Sequence, residues 1–272
     1  MILAIVAMIF GACNNAGKEK TKKVLIKTKF GNMKVELYNE TPQHRDNFVK
    51  LVKEGFYDSL LFHRVINSFM IQGGDPQSKG AATGVMLGNG GPGYQIPAEF
   101  VDGLYHKKGA LAAAREGDRN NPEKKSSGSQ FYIVQGKTYS DEELSQIDKR
   151  MEMQKKNDIF MKLIMDEKNV DIKNQYDSIR KAQDRDAFEK LIKETIEPMI
   201  DKEMANIGHI GLSPEAKEIY KTIGGTPHLD GQYTVFGQVY EGLNVIDSIA
   251  AVKTEKSRPV EDVIMEMEMI EE

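Results

Sequence analysis

Residues 62–75 read Phe-His-Arg-Val-Ile-Asn-Ser-Phe-Met-Ile-Gln-Gly-Gly-Asp, and no other stretch of the 272-residue chain constrains its fold as tightly. A cation (Arg64), two large apolar groups (Phe69, Met70) and an amide (Gln72) stand within nine residues. Successive side chains of an extended backbone point to opposite faces. Arg64, Ile66 and Ser68 therefore share one side, as do Met70 and Gln72 further along, while His63 falls opposite Arg64 and reads as structural. Gly73-Gly74 then allows a sharp turn or a close approach to another strand. A cation and an amide beside apolar anchors suit a site that holds a peptide rather than a small ion or a nucleotide.

The flanking sequence predicts a mainly β protein. Leu25 to Phe30 alternates, Gly31-Asn32 reads as a two-residue turn, and Met33 to Leu37 alternates again, which predicts a hairpin. Thr41-Pro42 reads as a helix start, with Thr41 as side-chain cap and Pro42 at the first helical position. Phe48, Leu51 and Val52 form that helix's apolar stripe, and Gly55 ends it. Short strands with Gly-rich connections follow to about residue 135. Leu243 to Ala251 predicts a second helix, and Met265-Glu266-Met267-Glu268-Met269 a last strand with one buried face. Many short strands with two helices indicate an all-β barrel with helical caps.

Residues 138–224 differ in kind. From 139 to 222 there are 34 charged residues among 84, and the only prolines are Pro198 and Pro214. Ser140 and Glu143 have the spacing of a capping box, and Leu144, Ile147 and Met151 follow at helical intervals. A second helical pattern runs near Asp186 to Glu197, and a third from Ser213-Pro214 to Gly224. The stretch reads as an inserted α-helical subdomain of two to four helices, between a barrel segment at 24–137 and another at 225–272.

A net charge of −4 and the lack of a Lys/Arg-rich tract argue against nucleic acid as a partner. His44, His63, His106, His209 and His228 show no metal-ligand spacing, so neither metal nor cofactor is expected. The single cysteine, Cys13, excludes an intramolecular disulfide. Residues 1–12 are uncharged and almost wholly apolar, too short to span a bilayer and suited to a signal-peptide core. Gly11-Ala12-Cys13 resembles a bacterial lipoprotein cleavage site, although Phe10 stands where that pattern prefers Leu. That resemblance implies lipidation at Cys13, residues 14–23 as a tether, and a membrane-surface location on an extracytoplasmic face, the periplasm being the expected compartment. An ordinary signal peptide with an incidental cysteine is the alternative.

Residues 62–75, Gly128-Ser129-Gln130-Phe131-Tyr132-Ile133, and Leu229-Asp230-Gly231-Gln232-Tyr233-Thr234-Val235-Phe236-Gly237 together resemble, in order, the three signatures of the cyclophilin peptidyl-prolyl isomerases. The resemblance covers residues 24–137 and 225–272. It implies an eight-stranded antiparallel β-barrel closed by two helices, here with the helical insertion where the family has a short loop. The implied activity is cis-trans isomerisation of X–Pro bonds in unfolded or flexible polypeptides.

That reaction needs no nucleophile, metal or acid–base pair. The barrier, about 18–20 kcal/mol, is the amide resonance lost at the half-twisted bond, and a catalyst must favour that twisted state over both planar forms. A guanidinium that hydrogen-bonds the pyramidal proline nitrogen does so, which makes Arg64 the candidate catalytic residue, with Gln72 beside it. By resemblance Phe69, Met70, Tyr132 and Leu229 would grip the proline ring, and Gln72 and Gln130 would hydrogen-bond the substrate backbone. Ala114 and Arg115 would offer main-chain groups, and His228 and Tyr233 would line the rim. Many family members have Trp at the position of His228 and His at that of Tyr233, so cyclosporin binding is expected to be weakened. The rival reading is a non-catalytic peptide-binding chaperone on the same scaffold. An intact Arg64, Phe69, Gln72 and Gln130 favours catalysis.

Overall fold

The computed structural model describes residues 20–208 and 210–271. Cys13, the leader it follows and His209 lie outside the described residues. The strands are β1 (Lys22–Thr28), β2 (Gly31–Leu37), β3 (Leu60–Leu61), β4 (Arg64–Ile66), β5 (Met70–Gly73), β6 (Gln95–Ile96), β7 (Ala110–Ala113), β8 (Ser126–Ser127), β9 (Phe131–Val134), β10 (Val235–Glu241), β11 (Thr254–Glu255), β12 (Arg258–Pro259) and β13 (Ile264–Met269). The helices are α1 (Pro42–Lys53), α2 (Asp141–Met165), α3 (Val170–Ala182), α4 (Arg185–Leu191), α5 (Glu197–Ile207), α6 (Pro214–Thr222) and α7 (Leu243–Ala250).

Nine strands form one antiparallel sheet in the order β3-β13-β1-β2-β10-β7-β9-β5-β4. Its two edge strands, β3 and β4, are halves of one extended segment parted only by Phe62-His63. The sheet therefore curls until its edges meet within the chain itself, and β3–β4 counts as one strand of an eight-stranded barrel. Closure removes the exposed edges that an open sheet would present. The alternation in β13 is as the sequence predicts: Met265 and Met267 are buried while Glu266 and Glu268 are exposed. Helices α1 and α7 cap the barrel and send Phe48, Leu51, Val52, Val245, Ile246 and Ile249 into the same core as Val24, Ile26, Val35 and Ile133.

Three local expectations are corrected. The first hairpin turns at Lys29-Phe30, because Thr28 pairs with Gly31 and Lys27 with Asn32. The Thr28 hydroxyl donates to the Gly31 carbonyl and accepts from the Phe30 N–H, which closes the turn two residues earlier than the Gly-Asn pair suggested. Thr41 sits at the start of α1 but makes no side-chain cap. Glu99, from a distant loop, caps the helix instead, accepting the N–H groups of Gln43 and His44 at 3.1 and 3.0 Å. Finally, β1 begins at Lys22, inside the segment read as tether.

The insertion leaves the barrel after Lys137 and returns at Gly225, and these two residues bridge each other. A Cβ at Gly225 would overlap the His106 carbonyl oxygen, and one at Gly136 would overlap the Gly225 backbone, so glycine is required where the chain leaves and re-enters. The capping box at Ser140 and Glu143 starts α2. Helix α3 lies outside the three helical patterns read above, although Ile172, Tyr176 and Ile179 recur at helical spacing and pack against the tip core without being fully buried. The second helical pattern resolves into α4, a π-helical turn at Ile192–Ile196, and α5. Pro198 lacks an N–H and crowds the carbonyl one turn back, which accounts for the slip of the hydrogen-bond ladder just before it.

Candidate active site

The hairpin of β4 and β5 places the expected residues on one face. Arg64 pairs with Gln72 and Ile66 with Met70 across the ladder, so side chains eight and four residues apart become neighbours. Ser68, expected on the same side as Arg64, lies instead in the connecting turn with φ +60°. Gly74 adopts φ +88°, and a Cβ there would overlap the Ser129 carbonyl oxygen, which fixes how closely β5 approaches β9.

A polar chain runs along this face. Arg64 Nη1 donates to Gln72 Oε1 at 3.0 Å, and Gln72 Nε2 donates to Gln130 Oε1 at 3.0 Å. Gln130 Nε2 in turn donates to the carbonyls of Gly88 and Gly90 at 2.9 and 2.7 Å. Each amide is oriented by the next, which leaves the guanidinium exposed at the cavity mouth with its other N–H groups available. Met70 lies beneath, with Sδ 3.9 Å from Arg64 Nη1. The loop that receives the chain is itself held: the buried Asp75 carboxylate accepts the N–H groups of Gly88 and Gln77. Arg258 binds the carbonyls of Ala82 and Val85 at 3.0 and 2.8 Å.

Arg64, Phe69, Met70, Gln72, Tyr132, Leu229 and Tyr233 line one cavity of about 720 Å3, together with Ala114 and Arg115. Its apolar floor is continuous, since Met70, Tyr132, Ala112 and Val235 pack together with Phe69, Leu229 and Tyr233 against them. Tyr132 meets Tyr233 edge-on at 5.9 Å. His228 is exposed at the rim and stacks on Phe69, ring centroids 5.7 Å apart. Burial of part of the ring holds its pKa below the ordinary histidine value, more than Asp230 raises it. His63 is buried, opposite the exposed Arg64.

Two parts of the expected set are refined. Both main-chain groups of Ala114 are used within the protein: its N–H donates to the Gln130 carbonyl and its carbonyl accepts from Ser127. The main-chain edge open to a substrate is thus at Arg115, whose N–H and C=O make no backbone hydrogen bond among the described residues. The Arg115 side chain, to which the sequence assigned nothing, is buried. It donates to the Gln232 carbonyl at 2.9 Å and to Asp118 at 2.6 Å, and lies 4.5 Å over the Tyr233 ring. It braces the pocket wall and is not free to pair with a substrate carboxylate.

Sequence reasoning missed a buried relay beneath the floor. The Tyr132 hydroxyl lies 2.9 Å from His106 Nε2, and His106 Nδ1 lies 2.9 Å from Asp230 Oδ1, which also accepts the His106 backbone N–H. A carboxylate oxygen only accepts, so Nδ1 carries the proton of that contact, and Nε2 stands against the Tyr132 hydroxyl. The other Asp230 oxygen accepts from the Tyr220 hydroxyl on α6. Burial, and then the Asp230 carboxylate, push the Tyr220 pKa far up, so it remains a donor. Nothing in the spacing of four residues spread from 106 to 230 could have shown this. Among the described residues no cluster of three His, Cys, Asp or Glu could hold a metal.

The comparisons agree with this geometry. The family model for cyclophilin type peptidyl-prolyl cis-trans isomerase/CLD matches residues 23–190 and 204–269. A Staphylococcus aureus protein described as a proposed peptidyl-prolyl cis-trans isomerase is 31% identical over 252 residues, 92% of each chain. A Streptococcus pyogenes protein described as a proposed bifunctional phosphatase/peptidyl-prolyl cis-trans isomerase is 34% identical over 248 residues; these are 90% of this chain and 37% of that longer protein. The crystal structure of a Cryptosporidium parvum cyclophilin type peptidyl-prolyl cis-trans isomerase superposes with a TM-score of 0.52 at 19% identity, over 93% of this chain and 99% of that one. A second structure of that protein, in the presence of the dipeptide Ala-Pro, superposes with a TM-score of 0.51. A curled eight-stranded barrel, an Arg–Gln–Gln chain at the mouth of an apolar pocket and these matches lead to one conclusion: the chain belongs to the cyclophilin-type peptidyl-prolyl cis-trans isomerases.

Proposed function

We propose that the protein turns X–Pro bonds in proline-containing polypeptides, with the proline ring in the Phe69–Met70–Tyr132–Leu229 pocket and Arg64 over the twisting amide. The observation that carries this reading is the Arg64–Gln72–Gln130 chain. It fixes the guanidinium by one N–H and leaves the others free at the pocket mouth. As the bond twists, resonance is lost and the proline nitrogen becomes a hydrogen-bond acceptor. A donor already oriented there stabilises the twisted state and neither planar one. No covalent step and no proton transfer is required. Residues before the proline lie along the open edge at Arg115. The Cryptosporidium protein has a structure in the presence of Ala-Pro, a dipeptide that contains one X–Pro bond.

A direct test is the rate of cis-trans exchange in a short Ala-Pro-Phe peptide, with the protein beside its Arg64→Ala variant. Acceleration that is largely lost in the variant supports the reading. A well-folded protein that does not accelerate exchange overturns it and leaves the peptide-binding chaperone, for which the exposed Met153, Met161, Met165 and Val170 of the insertion offer an adaptable apolar surface.

We also place the protein on an extracytoplasmic membrane surface of the cell envelope, held by a lipid on Cys13. Support for this is the apolar run at 1–12 and the Gly-Ala-Cys sequence that ends it. Among the described residues no helix is long and apolar enough to cross a membrane. Fractionation is decisive: the protein should sediment with membranes and be released by Cys13→Ser. Equal solubility of both forms contradicts the anchor. With His228 in place of the family's Trp, cyclosporin should bind weakly, and tight inhibition would refute that.

A further inference from the structure

The proline pocket has a neighbour on the side of the insertion. The segment 227–233 is a wall with two faces. Leu229 and Tyr233 look into the proline cavity, whereas Pro227, His228 and Gln232 look into a second groove of about 730 Å3. The far wall of that groove is α2, which presents Ile147, Arg150, Met151, Gln154 and Lys155 on one side of the helix. The floor is apolar (Ile147, Met151, Pro227) and the edges are cationic (Lys124, Lys137, Arg150, Lys155).

The charges at those edges are unbalanced. Lys137 is neutralised by Glu143 at 2.6 Å. Lys124 reaches only the neutral side-chain oxygen of Gln232. Arg150 and Lys155 make no ion pair among the described residues, while the two other acids of the lining are engaged elsewhere: Asp158 accepts from Gln154, and Asp230 from His106 and Tyr220. Four cations thus line the groove beside three acids, and Lys124, Arg150 and Lys155 have no carboxylate partner among the described residues, on a chain whose net charge is −4. It joins the proline pocket at His228, whose ring rests on Phe69. The main-chain edge at Arg115, proposed above for residues before the proline, faces a separate groove lined by Gly90, Gln95 and Ser127 that shares no residue with this one, which leaves the groove beyond His228 to a chain that follows the proline.

We propose that the groove between α2 and the barrel is a second substrate subsite, which holds an acidic segment of the polypeptide on the carboxyl side of the proline. The inference rests on the isomerase reading of the first pocket and names the class of substrate it takes. The insertion then selects the polypeptide, and the barrel performs the rotation. Attraction between exposed charges is modest, but several act together on one bound chain and are screened by salt.

The test uses two labelled peptides with the same Ala-Ala-Pro-Phe core, followed by four Glu or four Lys, and reads binding by fluorescence anisotropy. The wild-type protein should favour the Glu peptide by roughly tenfold at low salt, as expected for a few exposed pairs of this strength. The preference should shrink at high salt and be lost or reversed in R150E/K155E. The variant K124E, on the barrel side of the groove, should shift the ratio in the same direction and serves if the double variant is misfolded. Equal affinity for the two peptides, a ratio unmoved by these reversals, or a preference seen only when the Glu tract precedes the proline overturns the proposal. Exchange in the bare core peptide is measured in parallel. If that reaction is not accelerated the isomerase reading fails, whereas acceleration without a flank effect removes the subsite alone.

Discussion

The barrel and the insertion are stabilised in different ways. In the barrel one core draws on both capping helices and most strands, with Phe48 packed against Tyr57, Phe131 and Phe236 at ring distances of 5.0, 5.6 and 5.4 Å. The insertion has two small cores. At its root Leu144, Leu212, Ala216 and Tyr220 pack with Tyr105 of the barrel. At its tip Ile164, Leu191 and Ile196 are the buried residues, and α3 and α5 contribute none. Burial scales with the number of elements that share a core, so the tip is the part that can open without the rest. The comparison teaches that the site depends on the barrel for its geometry and on the root of the insertion for its bracing, and is insulated from the tip.

The largest effects separate these regions. Phe48→Ala should cost about 3–5 kcal/mol through the cavity left in the barrel core, lowering the melting temperature of the whole chain and the isomerisation rate together. Ile196→Ala removes a side chain buried equally well, yet it should melt helical signal at the tip early and leave the rate on a short peptide within about twofold. If both substitutions lowered the rate equally, the insulation would be refuted. Arg64→Ala should do the reverse of Ile196→Ala. The rate should fall by about 100-fold or more, the scale for removing one transition-state donor, with the melting temperature unmoved because Arg64 is exposed.

How much of this was legible follows the same division. The three signature blocks are local in sequence, and each supplies one contiguous part of the pocket, so Arg64, Phe69, Met70, Gln72, Gln130, Tyr132 and Leu229 could be named as neighbours before any geometry. The period-2 pattern of β13 and the stripe of α1 were equally plain, since each buries one face against a large core. Closure of the barrel was not, because it depends on a strand that breaks at Phe62-His63 and serves both edges. Nor was the cap on α1, which comes from Glu99 more than fifty residues away. The stripe of α3 (Ile172, Tyr176, Ile179) was there to be read, whereas the Arg115 brace was not, because arginine is read by default as solvent-exposed.

A middle-sized effect sharpens the claim that the root braces the site. Tyr220→Phe removes one hydroxyl and leaves the Asp230 carboxylate short of a donor, a loss of about 1–3 kcal/mol for a hydrogen bond to a charged group. Tyr132→Phe cuts the other end of the relay. If the relay positions the pocket floor, the two changes are coupled: Tyr220→Phe should raise KM in the wild-type background and have little further effect once Tyr132→Phe is present. Simple addition of the two effects would reduce the relay to ordinary packing.

The smallest effect is a dependence on pH, and it too belongs to the barrel. His44, His63 and His228 all have pKa values below the ordinary 6.5, in each case chiefly through burial, with Glu99 opposing the shift at His44 and Asp75 at His63. The unfolded chain therefore takes up protons at these positions at a higher pH than the folded one does. Below about pH 6.5 the unfolded state binds more protons, so stability is fully present above that pH and declines as pH falls toward the depressed folded values. The insertion's single histidine is His209, and none falls within residues 138–208, which include every residue of the tip core. Between pH 7 and pH 5.5 the melting transition reported by the barrel should move to lower temperature while that of the insertion tip changes little, and His63→Asn should flatten the barrel's response. A tip transition that shifts as far as the barrel's would mean that the two regions unfold as one unit, and the contrast drawn from their cores would then have to be abandoned.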